Sequence, residues 1–287
     1  MKSPRINVQG RGVKATSPAI STMILTGTIV VLVSVAFVFV YDYLYVSIAE
    51  SDFNSAKQFM QTIGLQTDDV AWTIGRTETV RYSSRYGDVS ILPSALNYTI
   101  YVNTTAWGEY RYFASKTVGI LLYSVPIANY NIYNGYYEQI FPLSTSALTL
   151  TGTSAPVVRV FAVEKLSTGD YTRVVVAPSV RALFSNMTTA SSSTYYVKLY
   201  LPVLMQGNSP RESQSVTVTG NSITSTTINN VTGINVTVSF PNEASGFDSS
   251  FFKFPSLYEV IDIPEGYDDA VLEFYASEVN IAFGLNP

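Results

Sequence analysis

One uncharged stretch near the N-terminus constrains this chain more than any other feature of its sequence. Residues 15–41 contain no Asp, Glu, Lys or Arg, and their core, residues 20–40, reads ISTMILTGTIVVLVSVAFVFV. About 20 helical residues cross a hydrocarbon core of about 30 Å, so the stretch predicts a membrane-spanning helix. It exceeds the apolar core of a secretory signal peptide, about 7–15 residues, and no small-residue cleavage site closes it. The alternative is a helix buried in the core of a soluble domain.

The charged residues around this stretch predict its orientation. Four basic residues and no acidic residue precede it, namely Lys2, Arg5, Arg11 and Lys14. The other Lys and Arg residues and all 21 Asp and Glu residues follow it. Because basic residues flank the cytoplasmic end of a membrane helix, the N-terminus is predicted in the cytoplasm. The chain after about residue 42 is then predicted outside the cell membrane, at the cell surface.

The helical pattern continues beyond the span. Apolar residues recur at helical spacings of three and four between positions 44 and 63, at Leu44, Ile48, Ala49, Phe53, Ala56, Phe59, Met60 and Ile63. We therefore predict one helix from about residue 18 to Ile63, ended by Gly64, since Gly favours helix C-termini. The outer apolar stripe must pack on the chain's own head or on neighbouring copies. The predicted organisation is a basic leader over residues 1–15, a helix over residues 16–64 and a head over residues 65–287.

The sequence after the helix predicts a β-rich head. Short runs of β-branched and aromatic residues are separated by Gly, Pro, Asn and Ser, as in all-β sandwiches. Strands are predicted at residues 77–82, 88–91, 98–102, 109–113, 118–123, 157–163, 172–177, 195–201, 215–218, 236–240 and 271–274. A short helix is predicted at residues 179–186, and loops at residues 185–194 and 207–214. The fold class is therefore α+β, a long N-terminal hydrophobic α-helix followed by a mainly β, sandwich-like extracellular head.

Missing residue types limit the chemistry of this chain. It has no Cys and no His, which excludes disulfides, thiolate nucleophiles, cysteine zinc sites and a Ser-His-Asp triad. A pI near 4.9 argues against broad nucleic-acid binding. The acidic pairs Asp68-Asp69 and Asp268-Asp269, and Asp262 with Glu265, lack the spacing of a calcium-binding loop and are predicted to be solvated turns. We expect no enzymatic activity and no cofactor.

Two kinds of surface site are predicted in the head. Five Asn-x-Ser/Thr sequons are candidate N-glycosylation sites, at Asn97, Asn103, Asn186, Asn230 and Asn235. The tyrosine-rich segment 129–137 is a candidate carbohydrate-binding or adhesive surface, because aromatic rings stack on sugars. A turn between strands or a contact between subunits is the alternative interpretation of that segment.

The N-terminus resembles that of a known family. The basic leader RGVKA, residues 11–15, precedes an uninterrupted apolar helix that begins TSPAISTMIL. This arrangement resembles the class III signal peptide and helix of archaeal type IV pilin-like and archaellin-like proteins. The resemblance implies cleavage by a prepilin peptidase after Lys14-Ala15, immediately before Thr16. Cleavage after Arg11-Gly12 is the alternative.

The resemblance implies a structural subunit of an archaeal cell-surface filament. Its partners would be copies of itself or related pilins, after residence in the membrane. Bacterial pilins carry Glu at the fifth mature position, where this chain has Ile20, which favours the archaeal branch. Predicted helix-assembly contacts are Ile20, Ile24, Gly27, Val31, Val35 and Phe39. The alternative is a single-pass membrane-anchored protein, for adhesion or envelope scaffolding, that does not polymerise.

Overall fold

The chain divides into two compact units joined by one long helix. The computed structural model describes residues 18–133, 135–143, 148–152, 155–166, 169–207 and 214–284. Helix α1 (Pro18–Ala71) runs through both units, Met1–Ile48 and Ala49–Pro287. The described part of the first unit, residues 18–48, is called the apolar segment below, and the second unit is called the β-rich unit. The predicted α+β fold class is confirmed.

The β-rich unit is built from strands and one further short α-helix. The strands are β1 (Thr77–Arg81), β2 (Asp88–Thr104), β3 (Arg111–Pro126), β4 (Tyr137–Phe141), β5 (Thr149–Thr151), β6 (Val158–Leu166), β7 (Gly169–Pro178), β8 (Val180–Thr188), β9 (Ser193–Gln206), β10 (Ser215–Ile228), β11 (Val231–Ser239), β12 (Tyr258–Asp262) and β13 (Asp269–Phe283). A 3₁₀ turn (Glu243–Ser245) and helix α2 (Ser249–Phe252) lie between β11 and β12.

The strands form two sheets that pack face to face. One has the order β1-β10-β13-β9-β8-β5 and the other β12-β11-β2-β3-β7-β6-β4. Neighbouring strands are antiparallel except for the parallel pairs β13–β9 and β5–β8. Between the sheets lies a first core that includes Tyr98, Ile100, Leu199 and Leu272. This arrangement is the sandwich-like architecture that the strand pattern predicted.

A second core surrounds the C-terminal part of α1. Apolar residues of α1 within the β-rich unit pack against strands of both sheets, on faces opposite to the first core. The buried helix residues are Ala49, Phe53, Ala56, Phe59, Met60, Ile63, Val70 and Ala71. The predicted apolar stripe of α1 therefore packs on the chain's own β-rich unit from residue 49 onward.

Two predicted helix features are wrong. Helix α1 does not end at Gly64 but continues to Ala71. Gly64 instead allows the helix to pack closely on the strands, since a Cβ there would lie 3.0 Å from Val158 Cγ2 and 3.3 Å from Val160 Cγ2. Residues 179–186 do not form a helix. They lie almost entirely in β8, which pairs with β9, because Val180 and Ala182 alternate into the first core.

Every predicted strand overlaps an observed one, and each of these observed strands except β1 (Thr77–Arg81) is longer than predicted. The predicted runs 88–91 and 98–102 belong to one strand, β2, and 109–113 with 118–123 belong to β3. Strands β4, β5, β8 and β12 were not predicted. The predicted loop 185–194 is shorter than expected, since only residues 189–192 separate β8 from β9. Most of the predicted loop 207–214 lies outside the described residues.

Candidate functional site

The apolar segment is exposed on every side. Each residue from 20 to 48 except Tyr45 is exposed, and the large apolar side chains retain 41–76 % of their accessible surface. An 18-residue window of α1 has a mean hydropathy of 2.7 and at most two charges, and none of its residues is buried. A helix that is apolar all round belongs in lipid or in a bundle of helices. By length and composition, α1 can cross a membrane.

The predicted helix-assembly residues lie in this exposed segment. Ile20, Ile24, Val31, Val35 and Phe39 are all exposed, and their spacing of three to four residues, with Gly27 among them, places them along one side of the helix. A Cβ added at Gly27 would meet no atom within 4 Å. Another helix could therefore approach the backbone closely at this position.

Two hydroxyls of the apolar segment are hydrogen-bonded within the helix itself. Thr28 Oγ1 donates a hydrogen bond of 2.8 Å to the Ile24 carbonyl, and Ser34 Oγ donates one of 2.8 Å to the Val30 carbonyl. These hydroxyls are satisfied within the helix, so transfer from lipid to a protein environment would leave no polar side chain of this pair unpaired.

The residues predicted to direct leader processing lie outside the described residues. Lys14, Ala15 and Thr16 precede Pro18, the first residue that the structure describes. Processing at Ala15–Thr16 therefore stays a prediction from the sequence.

Polar contacts fix α1 within the β-rich unit. Lys57 forms an ion pair with Glu138, which also accepts a hydrogen bond of 2.6 Å from the Tyr136 hydroxyl. Burial opposes ionisation of Glu138, but the hydrogen bonds from Lys57 and Tyr136 outweigh it and lower the pKa of the carboxyl below its usual value. Asp52 accepts hydrogen bonds from the Tyr123 hydroxyl at 3.3 Å and from the Arg85 backbone N–H at 3.3 Å.

The tyrosine-rich segment 129–137 divides between these contacts and solvent. Tyr130 packs on Phe53 of α1, with ring centroids 5.0 Å apart, and the Tyr136 hydroxyl donates a hydrogen bond to Glu138. Tyr133 remains 70 % exposed. Since two of these three rings are used in packing on the helix, Tyr133 offers more of its surface to a ligand than Tyr130 or Tyr136 does.

Three sequons lie on the solvent face of the seven-stranded sheet. The Asn97 side chain is already engaged there, because its Oδ1 accepts hydrogen bonds from Ser115 at 2.9 Å and Thr117 at 3.1 Å. The Oδ1 atoms of Asn103 and Asn235 are buried and lack a hydrogen-bond partner. An oligosaccharide on any of these three would require local rearrangement of the strand face.

The other two sequons are exposed at one end of the β-rich unit. Asn186 lies near the end of β8 and donates a hydrogen bond of 3.3 Å to the Tyr267 hydroxyl. Asn230 occupies the turn between β10 and β11, with φ of 54°. Their exposure makes these two the sequons whose amides are most open to modification.

A cleft of about 360 Å³ opens at this same end. It is lined by Thr105, by residues 230–232 and by residues 263–270, which comprise the loop between β12 and β13 and the first two residues of β13. We call it the loop-end cleft. Within the β-rich unit, the cleft lies beside the C-terminal end of β2, where Thr104 pairs with Val231. Asp52 lies near the opposite end of β2, because it contacts Tyr123, which pairs with Val89. The cleft was not predicted, because the loops that form it lie far apart in the sequence.

Two of the three acidic residues of the cleft, Asp268 and Asp269, accept hydrogen bonds from backbone N–H groups. Asp268 Oδ2 accepts hydrogen bonds from the Ser193 backbone N–H at 2.7 Å and from its hydroxyl at 3.1 Å, and Asp269 Oδ1 accepts one from the Asn230 N–H at 2.8 Å. Among the described residues, no group of three or more acidic side chains is placed to hold a metal ion.

Comparisons with known proteins add no identification. No family model, no curated protein and no solved structure matches this chain.

Proposed function

We propose that this protein is a pilin-like structural subunit of an archaeal cell-surface filament, assembled through its N-terminal hydrophobic helix. The observation that carries the proposal is the complete exposure of a charge-free apolar helix over residues 20–40. Such a surface is not stable in water and needs lipid or other helices around it. In the proposal it is covered first by the membrane and then by copies of itself or by related pilins.

The chemistry of the segment supports an exchange between these two environments. Lipid tails and neighbouring apolar helices offer similar apolar contacts, so the exchange depends on close packing and on satisfied polar groups. The hydroxyls of Thr28 and Ser34 are bonded within the helix, and Gly27 leaves room for a neighbouring backbone. The β-rich unit would be carried outside the cell, where its sequons could receive glycans.

Leader processing tests the first step of this proposal. If a prepilin peptidase removes residues 1–15, Lys14→Ala should block removal, and the variant should retain its full mass when expressed with the peptidase. Lys2→Ala is the matched control, because it also removes one leader charge but lies far from the predicted site. Edman sequencing of the wild-type chain should begin at Thr16, or at Val13 for the alternative site. An intact Met1 on the surface protein would instead favour a single-pass anchor.

Filament formation tests the second step. Surface material sheared from expressing cells should contain filaments by negative-stain microscopy, and antibodies against the β-rich unit should decorate them along their length. Gly27→Leu should reduce filament yield while leaving membrane insertion intact, because a larger side chain separates neighbouring helices without adding charge. Undecorated filaments, with the protein confined to the membrane, would contradict the structural role.

A further inference from the structure

The loop-end cleft has walls that are fixed before any ligand arrives. The Thr105 N–H donates to the Asn230 carbonyl at 3.0 Å, which ties the β2–β3 loop to the β10–β11 turn. Asp269 ties that turn to the β12–β13 loop, and Asp268 ties the same loop to Ser193. A site held in place by its own hydrogen bonds loses little conformational entropy when it binds.

Several tyrosines lie on or beside the strands next to the cleft. The Tyr110 hydroxyl lies over Gly233, where a Cβ would approach it to 2.6 Å. Gly233 pairs with Asp262, the residue before the cleft-lining Ile263. The rings of Tyr101 and Tyr112 meet edge to face with centroids 6.5 Å apart.

These rings remain available to a ligand. Tyr112 on β3 is 62 % exposed, and Tyr258 on the edge strand β12, three strands away in the same sheet, is 61 % exposed. Within the cleft itself, the Tyr267 ring packs on Tyr195 at 5.1 Å, which holds it in position. The cleft and the exposed tyrosines together are called the tyrosine surface below.

The charges of the surface select the chemistry of the ligand. Glu265, Asp268 and Asp269 contribute carboxylates to the cleft lining, which contains no Lys or Arg. Phosphorylated, sulfated or otherwise anionic ligands are therefore disfavoured within the cleft. What the surface offers is hydrogen-bond acceptors for hydroxyl groups, beside aromatic faces on which the C–H face of a sugar ring can pack.

We propose that the tyrosine surface is a binding site for a neutral oligosaccharide. One or more sugar residues enter the loop-end cleft, where Glu265 accepts hydrogen bonds from their hydroxyls, and the chain continues across Tyr112 and Tyr258. The volume of about 360 Å³ lies within the range of small-molecule sites. This inference does not depend on whether the protein polymerises. It transfers the predicted adhesive role from segment 129–137 to a different part of the β-rich unit.

The test uses the full-length chain in detergent, produced in a bacterial host without N-glycosylation. That choice matters because Asn230 lines the cleft, and a glycan attached there would occupy the same space. The probes are linear neutral oligosaccharides of glucose, mannose, galactose and N-acetylglucosamine, printed as an array and then titrated in solution. We expect binding to at least one series, with Tyr112→Ala and Glu265→Gln each weakening it about tenfold. Both residues are exposed, so both variants should keep the wild-type circular dichroism spectrum.

Tyr133→Ala is the matched control, since Tyr133 is an equally exposed tyrosine in segment 129–137. It should leave the affinity unchanged. Loss of binding in Tyr133→Ala but not in Tyr112→Ala would overturn the assignment in favour of segment 129–137. Absence of binding to every series, or preferential binding to sulfated versions of the same sugars, would overturn the proposal itself. Filament formation by these variants is measured separately and has no bearing on this outcome.

Discussion

Gly64 occupies a position in α1 where the helix backbone lies directly on strand β6. A Cβ at this position would approach Val158 Cγ2 to 3.0 Å and Val160 Cγ2 to 3.3 Å, closer than ordinary van der Waals contact. Gly64→Val should therefore destabilise the β-rich unit by about 1–3 kcal/mol, although Val itself forms helix better than Gly. The measurement is thermal unfolding in detergent, followed by near-ultraviolet circular dichroism of the aromatic residues.

Gly27→Val provides the control for this substitution within the same helix. A Cβ at Gly27 meets no atom within 4 Å, so the β-rich unit should unfold at the wild-type temperature in that variant. If Gly64→Val unfolds at the same or a higher temperature, the close approach of α1 to β6 is not a tight contact. The pair of variants separates the packing role of Gly64 from the general effect of removing a helical glycine.

The elements of this fold differ in how far the sequence predicts them. The long helix and the strands with β-branched and aromatic runs were predictable because their patterns are local. Three edge strands, β4, β5 and β12, were missed because they are short and carry weak patterns. Residues 180–186 belong to strand β8 in place of the predicted helix because pairing with β9 outweighs their local preference.

The candidate site was predictable only in part for a similar reason. The apolar segment is continuous in sequence, so its exposed character followed from composition alone. The loop-end cleft brings together Thr105, the Asn230 turn and residues 263–270, which lie far apart in the sequence. No local pattern marks such a convergence, because it is created by sheet pairing. The prediction that α1 ends at Gly64 was wrong because, in the sequence, a glycine required for close packing cannot be distinguished from one at a helix terminus.

Packing of α1 within the β-rich unit carries a pH dependence through Glu138. Its pKa is lowered from 4.5 by contacts with Lys57 and Tyr136 that exist only in the folded state. A carboxyl whose pKa is lowered by folding stabilises the fold at pH values above its unfolded-state pKa. This contribution is lost as the pH falls through the folded-state pKa. Because both partners are partly exposed to solvent, we expect Glu138→Gln to cost about 0.2–1 kcal/mol at pH 7. The difference between variant and wild type should shrink by pH 3.

Urea unfolding at pH 7 and pH 3 measures this difference. Glu265→Gln is the control, since Glu265 is exposed and forms no ion pair within the described residues. Glu265→Gln should leave the free energy of unfolding unchanged at both pH values. A Glu138→Gln deficit that is equally large at both pH values would mean that the side chain acts through packing and not through its charge.

The molecule as a whole combines two surfaces with opposite requirements. The apolar segment cannot remain in water, whereas the β-rich unit carries all 21 acidic residues except Asp42 and builds two cores of its own. The net charge of −4 is the sum of a basic N-terminus and an acidic remainder. With no Cys in the chain, the β-rich unit is held by packing, hydrogen bonds and a few ion pairs, without disulfides.

A single charge in the apolar segment tests whether the membrane is its environment before any assembly. Val33 is exposed near the middle of the segment, and Val33→Asp should cost about 2.5–3.5 kcal/mol for insertion at the centre of a membrane helix. The variant should largely leave the carbonate-resistant membrane fraction, while Val33→Leu stays in it. Val260→Asp adds the same charge at an exposed position of β12 and should not alter membrane retention. Absence of the wild-type chain from the carbonate-resistant fraction would mean that the apolar segment is not inserted, so its exposed surface would have to be covered by protein from the start.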